Sequence, residues 1–359
     1  GTIAEDANAG LHLMETDRGV PSVIGRGLEE SAHRVYASTM FHPEEVIFAP
    51  TGRCNLFCTH CSVKRGPEEL GVADAVAFLD TCSEAGIERI GFSGGEPFLR
   101  PDFLVGVSKA AVERGLYFDR LMTNGDWWAD EAGLRSALTA VRDAGFDGVV
   151  GLSWDTYHGQ SPARIQAFLQ AVFDTWGRKD TVELLSVRSP DDKEFFRDLH
   201  AVAAALGGRV ESECGEPSCI VDAVYLARSE SDPDDGSGLV IPVTLSPRSR
   251  SAAEGAWDAK DWFTDDWCEG PGNVFYVHPY GAVAPCCGFA NEQPGLSIGT
   301  VHDSYAVLMA NAARNAQVSR CFDEGLGAVR ERLEASGVRY PGKTRDMCFF
   351  CDYLCGRGL

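Results

Sequence analysis

Three cysteines within residues 51–61 constrain this chain more than any other feature. Cys54, Cys58 and Cys61 have the spacing CxxxCxxC, and they directly follow a β-branched and aromatic run that predicts a strand. Thiolates at such short spacings hold a single [4Fe–4S] cube, and three of them leave one iron without a protein ligand. The loop therefore predicts a cluster with an open coordination position at the end of a strand, which favours catalysis over simple electron storage.

A structural zinc ion is the alternative occupant of this loop. Zinc sites favour two CxxC pairs, whereas the loop has one such pair after a three-residue gap. The spacing therefore favours the cluster.

Strand-like runs alternate with amphipathic helical stretches from Glu45 onward, which predicts βαβ units and a parallel sheet. A helix at about 191–206 then leads to a sixth strand near 209–213 or 221–227. The first five predicted strands are 45–50, 88–93, 117–123, 148–153 and 181–187.

A second motif, Gly94-Gly95-Glu96-Pro97, stands at the end of the second predicted strand. Together with CxxxCxxC, it resembles the radical S-adenosylmethionine (radical SAM) family. The resemblance implies an α/β fold with a partial (β/α)6 TIM-like barrel whose active site lies at the carboxyl ends of the strands. It also implies that S-adenosyl-L-methionine (SAM) occupies the open iron.

The same resemblance implies a set of SAM-binding residues at the strand ends. Two glycines let the backbone approach a ligand closely, and a glutamate can accept from an ammonium group. An Asn-Gly turn or a helix cap is the structural alternative for several of these positions. The set comprises His60, Gly94, Gly95, Glu96, Pro97, Asn124, Ser153, Asp155 and Arg164.

Two further cysteines, Cys214 and Cys219, lie near the last predicted barrel strand. A thiol there can return a hydrogen atom to a substrate radical, as radical epimerases require. Inert loop thiols are the alternative.

The carboxyl-terminal cysteines resemble the SPASM or twitch extension of radical SAM enzymes. Two strands, 274–278 and 282–284, are predicted to flank a tight turn at Tyr280-Gly281. The resemblance implies one auxiliary [4Fe–4S] cluster on Cys268, Cys286 and two of Cys348, Cys351 and Cys355, with a zinc site as the alternative. Cys287 and Cys321 are then spare, or belong to a degenerate second cluster.

Four segments follow from these assignments: an N-terminal segment at 1–43, the barrel at 44–240, a linker at 241–262, and the auxiliary-cluster domain at 263–359. The linker is predicted from a polar stretch rich in Ser, Pro, Gly and Asp.

Composition limits the partners and the compartment. The 32 basic and 53 acidic residues give a net charge of −21, which disfavours nucleic acid and anionic membranes as partners. Thirteen cysteines without an export signal predict a reducing, cytoplasmic location.

The resemblance implies an enzyme that reductively cleaves SAM to a 5′-deoxyadenosyl radical and takes a hydrogen atom from a substrate carbon. A flavodoxin or ferredoxin is the expected reducing partner. The first hypothesis is a maturase that crosslinks, oxidises or epimerises a peptide or protein. The second is a small-molecule dehydrogenase acting on an aminocyclitol or sugar in natural-product biosynthesis. A non-enzymatic iron–sulfur or zinc protein is the third.

Overall fold

The computed structural model describes residues 41–177, 181–187, 192–212, 223–228, 241–246, 257–264, 268 and 273–359. In the first half of this range, strands and helices alternate as the sequence predicts. The strands are β1 Glu45–Phe48, β2 Arg89–Phe92, β3 Tyr117–Thr123, β4 Val149–Ser153 and β5 Val182–Val187. The helices are α1 Val72–Glu84, α2 Pro101–Glu113, α3 Glu131–Asp143, α4 Pro162–Trp176 and α5 Asp192–Ala205.

The helices pack on the sheet through the apolar stripes that the sequence predicts. In α3, Leu134, Leu138 and Val141 are all fully buried, because their spacing places them on one helix face. On β1, the Phe48 ring meets the ring of Phe103 from α2 edge-on, with centroids 6.0 Å apart. The core thus lies between the sheet and its helices, and it fixes the positions of the strand ends.

Strands β1 to β5 are parallel neighbours, so their carboxyl ends meet at one edge of the sheet. The ends of β1 to β4 and the loops after them carry the predicted cluster ligands of the first loop and the predicted SAM-binding residues except Arg164, which lies in the first turn of α4. These loops all leave from this edge. This arrangement confirms the predicted mixed α/β fold with a parallel central sheet.

The sixth parallel strand differs from the prediction. Both predicted segments form strands, β6 Gly208–Ser212 and β7 Ala223–Arg228, but these pair antiparallel to each other. The strand that joins β5 in parallel is β8, Ile241–Ser246, which lies in the segment predicted as a linker. The reason is the length of the connections: only residues 213–222 separate β6 from β7, and only 229–240 separate β7 from β8. Connections this short favour antiparallel neighbours, since parallel neighbours need a crossover of a dozen or more residues.

The carboxyl-terminal part adds a hairpin to the other side of the sheet. As predicted, β9 Val274–Val277 and β10 Ala282–Ala284 are antiparallel, and Gly281 takes a φ of 83° at the turn. Strand β9 pairs in parallel with β1, so one sheet runs from β11 through the hairpin to β6. The remaining strand and α-helices of the described residues are β11 Gly299–Thr300, α6 Tyr305–Arg314, α7 Ala316–Ser319, α8 Leu326–Ala335 and α9 Met347–Arg357.

No helix among the described residues has the length and apolar character that a membrane crossing requires. Residues 1–40 of the predicted N-terminal segment, together with 247–256 of the predicted linker, lie outside the described residues. The remaining domain boundaries stay predictions.

Candidate functional site

A cavity of about 340 Å³ opens at the carboxyl edge of the parallel strands. Residues from the loops after β1, β2, β3 and β4 line it, as the parallel topology requires. Ten residues of the predicted site are in its wall: Cys54, Cys58, His60, Cys61, Gly94, Gly95, Pro97, Asn124, Ser153 and Asp155.

The thiols of the cluster loop are spaced too widely for a single zinc ion. A zinc ion with Zn–S bonds of about 2.3 Å holds two thiolates about 3.8 Å apart. Among the described residues, three or more candidate ligand atoms lie within 4.8 Å of one another at His60, Asp155 and His158, and the loop thiols form no such set. The sulfur–sulfur separations of the three loop thiols therefore suit a polynuclear cluster better than a single zinc ion.

Two glycines let the turn after β2 lie directly against the cluster loop. Gly94 has a φ of 111°, which favours glycine, and a Cβ there would lie 2.9 Å from the Cβ of Ala49. A Cβ at Gly95 would overlap the carbonyl oxygen of Arg53, the residue before Cys54. The neighbouring cluster loop therefore leaves no room for a side chain at Gly94 or Gly95, in addition to any space that a bound ligand requires.

Replacing Gly95 by alanine is expected to displace the cluster loop, because the new methyl group overlaps backbone atoms. We expect a cost of about 1–3 kcal/mol in unfolding free energy and a marked loss of iron from the site. Gly295→Ala is the matched control, since no described atom lies within 4 Å of a Cβ at Gly295. Iron analysis and urea titration of both variants test this, and an unchanged iron content in Gly95→Ala would contradict it.

Glu96 is buried beneath the turn and is not among the described residues that line the cavity. Its carboxyl group accepts from the backbone N–H groups of Phe98 (3.1 Å) and Asn124 (2.8 Å) and from the hydroxyl of Thr123 (2.8 Å). Burial raises the pKa of Glu96 to about 7, although these bonds oppose the shift. The carboxyl thus ties the β2 turn to the end of β3, and the structure does not direct it toward a ligand.

The raised pKa of Glu96 predicts a pH-dependent contribution to stability. Between pH 4.5 and about 7 the folded protein holds a proton on Glu96 that the unfolded chain has released, so stability falls as pH rises. The pKa difference corresponds to about 3 kcal/mol. Urea unfolding at pH 5 and pH 8 should therefore show the wild type losing about 2.5 kcal/mol relative to Glu96→Gln, because pH 5 lies slightly above the unfolded pKa. Parallel pH profiles for the two proteins would contradict this assignment.

Asn124 connects the end of β3 to the cluster loop. Its amide Nδ2 donates to Asn55 Oδ1 at 2.9 Å and lies 3.6 Å from Cys54 Sγ. Gln160, which the sequence analysis missed, donates to the backbone carbonyls of both Asn124 and Ser153. A single buried amide thus joins the ends of β3 and β4 at the cavity wall.

Asp155 orients a histidine toward the cluster loop. Its carboxylate accepts from the backbone N–H of Val187 at 3.0 Å and lies 2.7 Å from His158 Nδ1. Burial alone would raise the pKa of Asp155, but His158 holds it below the usual range. For His158 burial acts in the opposite direction and alone would lower its pKa. Hydrogen bonds with Asp155 and with the Cys58 thiol instead raise the pKa of His158 to about 9.

His158 is therefore a site residue that sequence reasoning missed. It lines the cavity and contacts Cys58, and its ring centroid lies 5.0 Å from that of His60. The only signal in the sequence is its place three residues after Asp155 at the end of a predicted strand.

Arg164 is engaged elsewhere and is not among the described residues that line the cavity. Its guanidinium pairs with Asp126 and lies over the Trp128 ring, 3.7 Å from the centroid. It therefore braces the loop after β3. Cys214 and Cys219 lie outside the described residues.

The predicted auxiliary ligands meet in a second cavity. Three tail cysteines lie on α9, which begins after its N-cap Asp346, and their spacing of three and four residues places them on one helix face. Cys348 and Cys351 line this cavity together with Cys268, Cys286 and Cys321. A Cβ at Gly288 would lie 3.2 Å from Cys348 Sγ and 3.6 Å from Cys286 Sγ, so these two sulfurs face one point.

Several donors point at the sulfurs of this second cavity. The backbone N–H of Gly288 donates to Cys286 Sγ at 3.2 Å, and the Gln317 amide donates to Cys351 Sγ at 3.3 Å. Cys321 Sγ lies 3.9 Å from Cys351 Sγ. Hydrogen bonds to thiolate sulfurs are a common means of tuning iron–sulfur clusters. Cys287 is not among the described residues that line either cavity.

Comparison with known proteins agrees with this geometry. The family model described as "Radical SAM superfamily" matches residues 48–172. A GTP 3′,8-cyclase from Streptomyces coelicolor is 37% identical over 113 residues, which are 30% of this chain and 31% of that protein. A PqqA peptide cyclase from Gluconobacter oxydans is 38% identical over 87 residues, 23% of this chain and 24% of that protein. The chain thus matches about a third or less of the length of these relatives.

The fold as a whole also has a solved counterpart. The structure of native anSMEcpe with bound AdoMet superposes with a TM-score of 0.51 at 15% identity, covering 88% of this chain and 98% of that one. This likeness supports the fold, and the sequence match lies in the segment that carries the cluster loop, the glycine turn and most of the cavity wall. Residues 48–172 of this chain are therefore a radical SAM domain.

Proposed function

We propose that this protein is a radical SAM enzyme whose SAM-binding cluster is held by Cys54, Cys58 and Cys61. The observation that carries the proposal is the convergence of these cysteines with the Gly94-Gly95 turn, Asn124 and Ser153 on one cavity. When bound, the cluster and SAM supply a 5′-deoxyadenosyl radical that takes a hydrogen atom from a substrate carbon.

The chain's own residues position the cofactor. The two glycines bring backbone polar groups to the cavity wall, where they can bind the amino-acid part of SAM. The ring of His60 lines the cavity and offers a surface for the adenine, and the Tyr157 ring packs against it with the centroids 4.9 Å apart. The enclosing loops limit access of water to the reactive centre.

A second cluster is proposed on Cys268, Cys286, Cys348 and Cys351. All four line the carboxyl-terminal cavity, as Cys321 also does, whereas Cys355 is not among its described lining residues. Cys321 and Cys351 are a close pair, but no three of the described thiols of this region lie within 4.8 Å of one another, which again favours a cube over a zinc tetrahedron.

The proposed substrate is a peptide or protein, which the enzyme crosslinks, oxidises or epimerises. The support is the 38% identity to a PqqA peptide cyclase over 87 residues. The second candidate is a small molecule, favoured by the 37% identity to a GTP 3′,8-cyclase and by the single proposed auxiliary site. A precursor-peptide gene beside this one would support the first candidate, and sugar or cyclitol genes the second.

The direct test is SAM cleavage by anaerobically reconstituted protein with excess dithionite. Chromatography should detect methionine and 5′-deoxyadenosine in equal amounts, and deuterium from a labelled substrate should appear in the 5′-deoxyadenosine. Intact SAM after prolonged incubation with fully reduced protein would overturn the proposed function.

A further inference from the structure

The cluster loop has an outer face as well as the face toward the SAM cavity. Phe57, between Cys54 and Cys58, is 85% exposed, and the Arg65 guanidinium lies 4.5 Å from its ring centroid. Beside it is an open groove of about 520 Å³. The groove is lined by Gly52, Arg53, Cys54, Asn55, Phe57, Arg65, Gly66 and Leu99.

The groove leads directly to a proposed cluster ligand. Cys54 lines both the outer groove and the SAM cavity, so it lies between the protein surface and the reaction chamber. An electron that enters from the groove reaches the cluster without crossing the space that SAM and substrate occupy. A patch at this place therefore suits delivery of electrons rather than of substrate.

The groove wall is richer in basic side chains than the chain as a whole. The whole chain carries −21, yet the groove wall has two arginines and, among its described residues, no carboxylate. Lys64 is exposed on the adjoining loop. Two carboxylates adjoin this wall: Glu69 is paired with Arg53 and also with Arg100 at 2.9 Å, and the Glu68 carboxylate lies against Gly66.

We propose that this outer groove, with Phe57 at its rim, docks a small acidic one-electron carrier protein of the flavodoxin kind. The inference rests on the proposed function. In the step, the reduced carrier loses one electron and the cluster on Cys54, Cys58 and Cys61 gains it, with no atom transferred. Arginines attract an acidic partner within a chain that otherwise repels it, and the exposed ring supplies an apolar anchor.

The size of the patch suits this kind of partner. Electron-transfer encounters are at the small end of protein interfaces, below about 1,200 Å² in total. They need fast association and fast release, for which charge steering serves better than a large apolar surface. One exposed aromatic residue flanked by guanidinium groups is consistent with such a transient complex.

The test compares the double variant Arg53→Gln/Phe57→Ser with the wild type. The matched control is Arg89→Gln/Tyr117→Ser, which also removes a half-exposed, ion-paired arginine and an exposed aromatic residue. Its two positions begin β2 and β3, at the opposite edge of the sheet. Two readouts are needed: the Kd for purified flavodoxin by calorimetry, and the rate of cluster bleaching by flavodoxin hydroquinone in stopped flow.

We expect the groove variant to raise the Kd and to slow reduction by flavodoxin by about tenfold or more, while reduction by dithionite keeps its wild-type rate. The control variant should match the wild type in both. Wild-type affinity should fall as salt rises from 50 to 300 mM, because the arginines act through charge. Equal affinity and equal flavodoxin rates in all three proteins would overturn the proposal.

Two further outcomes are informative. If light scattering shows a wild-type dimer that the groove variant dissolves, a second copy of the chain occupies the groove and the carrier proposal is wrong. If dithionite reduces the cluster but no SAM is cleaved, the proposed function fails, while the flavodoxin binding measurements still decide whether the groove is a docking site.

Discussion

Cys58→Ala is expected to reduce the rate of SAM cleavage by more than about 1,000-fold. The bound cofactor carries the chemistry, and its anchoring needs all three loop thiols. The variant should also lose about four of about eight irons per chain if two cubes are present. Cys58 has a further role, since His158 contacts its thiol and is itself held by Asp155. Removing the thiol therefore also leaves the half-buried His158 without one of its partners.

Cys82→Ala is the matched control. Cys82 is a buried cysteine on α1 whose pKa is raised by burial, and it packs in the hydrophobic core. Its loss should cost about 1 kcal/mol of stability and leave both iron content and cleavage unchanged. If Cys58→Ala kept wild-type cleavage while holding its iron, the assignment of the loop would be wrong.

The second large effect is expected in the auxiliary site, where two tail cysteines should behave differently. Cys348→Ala should lose about four irons, because its sulfur faces the same point as that of Cys286. Cys355→Ala should keep them, because Cys355 lies one turn further along α9 and is not among the described residues of the cavity wall. Iron and sulfide analysis of the two variants makes the comparison.

The Cys348→Ala variant should lose thermal stability without losing SAM cleavage. Cys348→Ala should still cleave SAM under dithionite, because its ligand set is distinct from that of the cluster loop. Its thermal unfolding should shift downward by several degrees, since metal binding contributes to folding of the region that it joins. Retention of all iron in Cys348→Ala but loss in Cys355→Ala would reverse the ligand assignment, and zinc in place of iron would remove the auxiliary cluster.

Much of the fold could be predicted because two sequence signals indicate each of the first five parallel strands. Each has an apolar run, and each is followed by an amphipathic helix such as α3. The sixth strand lacks such a mark. Strands β6 and β7 have equally strand-like sequences, and only pairing with β5 distinguishes β8. Strand pairing is a long-range property, so the local sequence pattern predicted the wrong segment as the sixth parallel strand.

The candidate site shows the same limit at the level of side chains. The spacing of Cys54, Cys58 and Cys61 predicts a shared loop because those residues are close in the chain. The directions of Glu96 and Arg164 depend on distant partners, Asn124 and Asp126, which no local pattern reveals. His158 was missed for the same reason, since its importance comes from Asp155 and Cys58 together.

We expect one iron of the proposed cluster on Cys54, Cys58 and Cys61 to be open to SAM. The most direct measurement is electron paramagnetic resonance of the reduced, oxygen-free protein, recorded in the Cys348→Ala variant so that a single cluster contributes. We expect the spectrum to change on adding SAM, and ¹⁵N in the SAM amino group to produce a resolved coupling in the double-resonance spectrum. An identical spectrum with and without saturating SAM, and no nitrogen coupling, would contradict the claim.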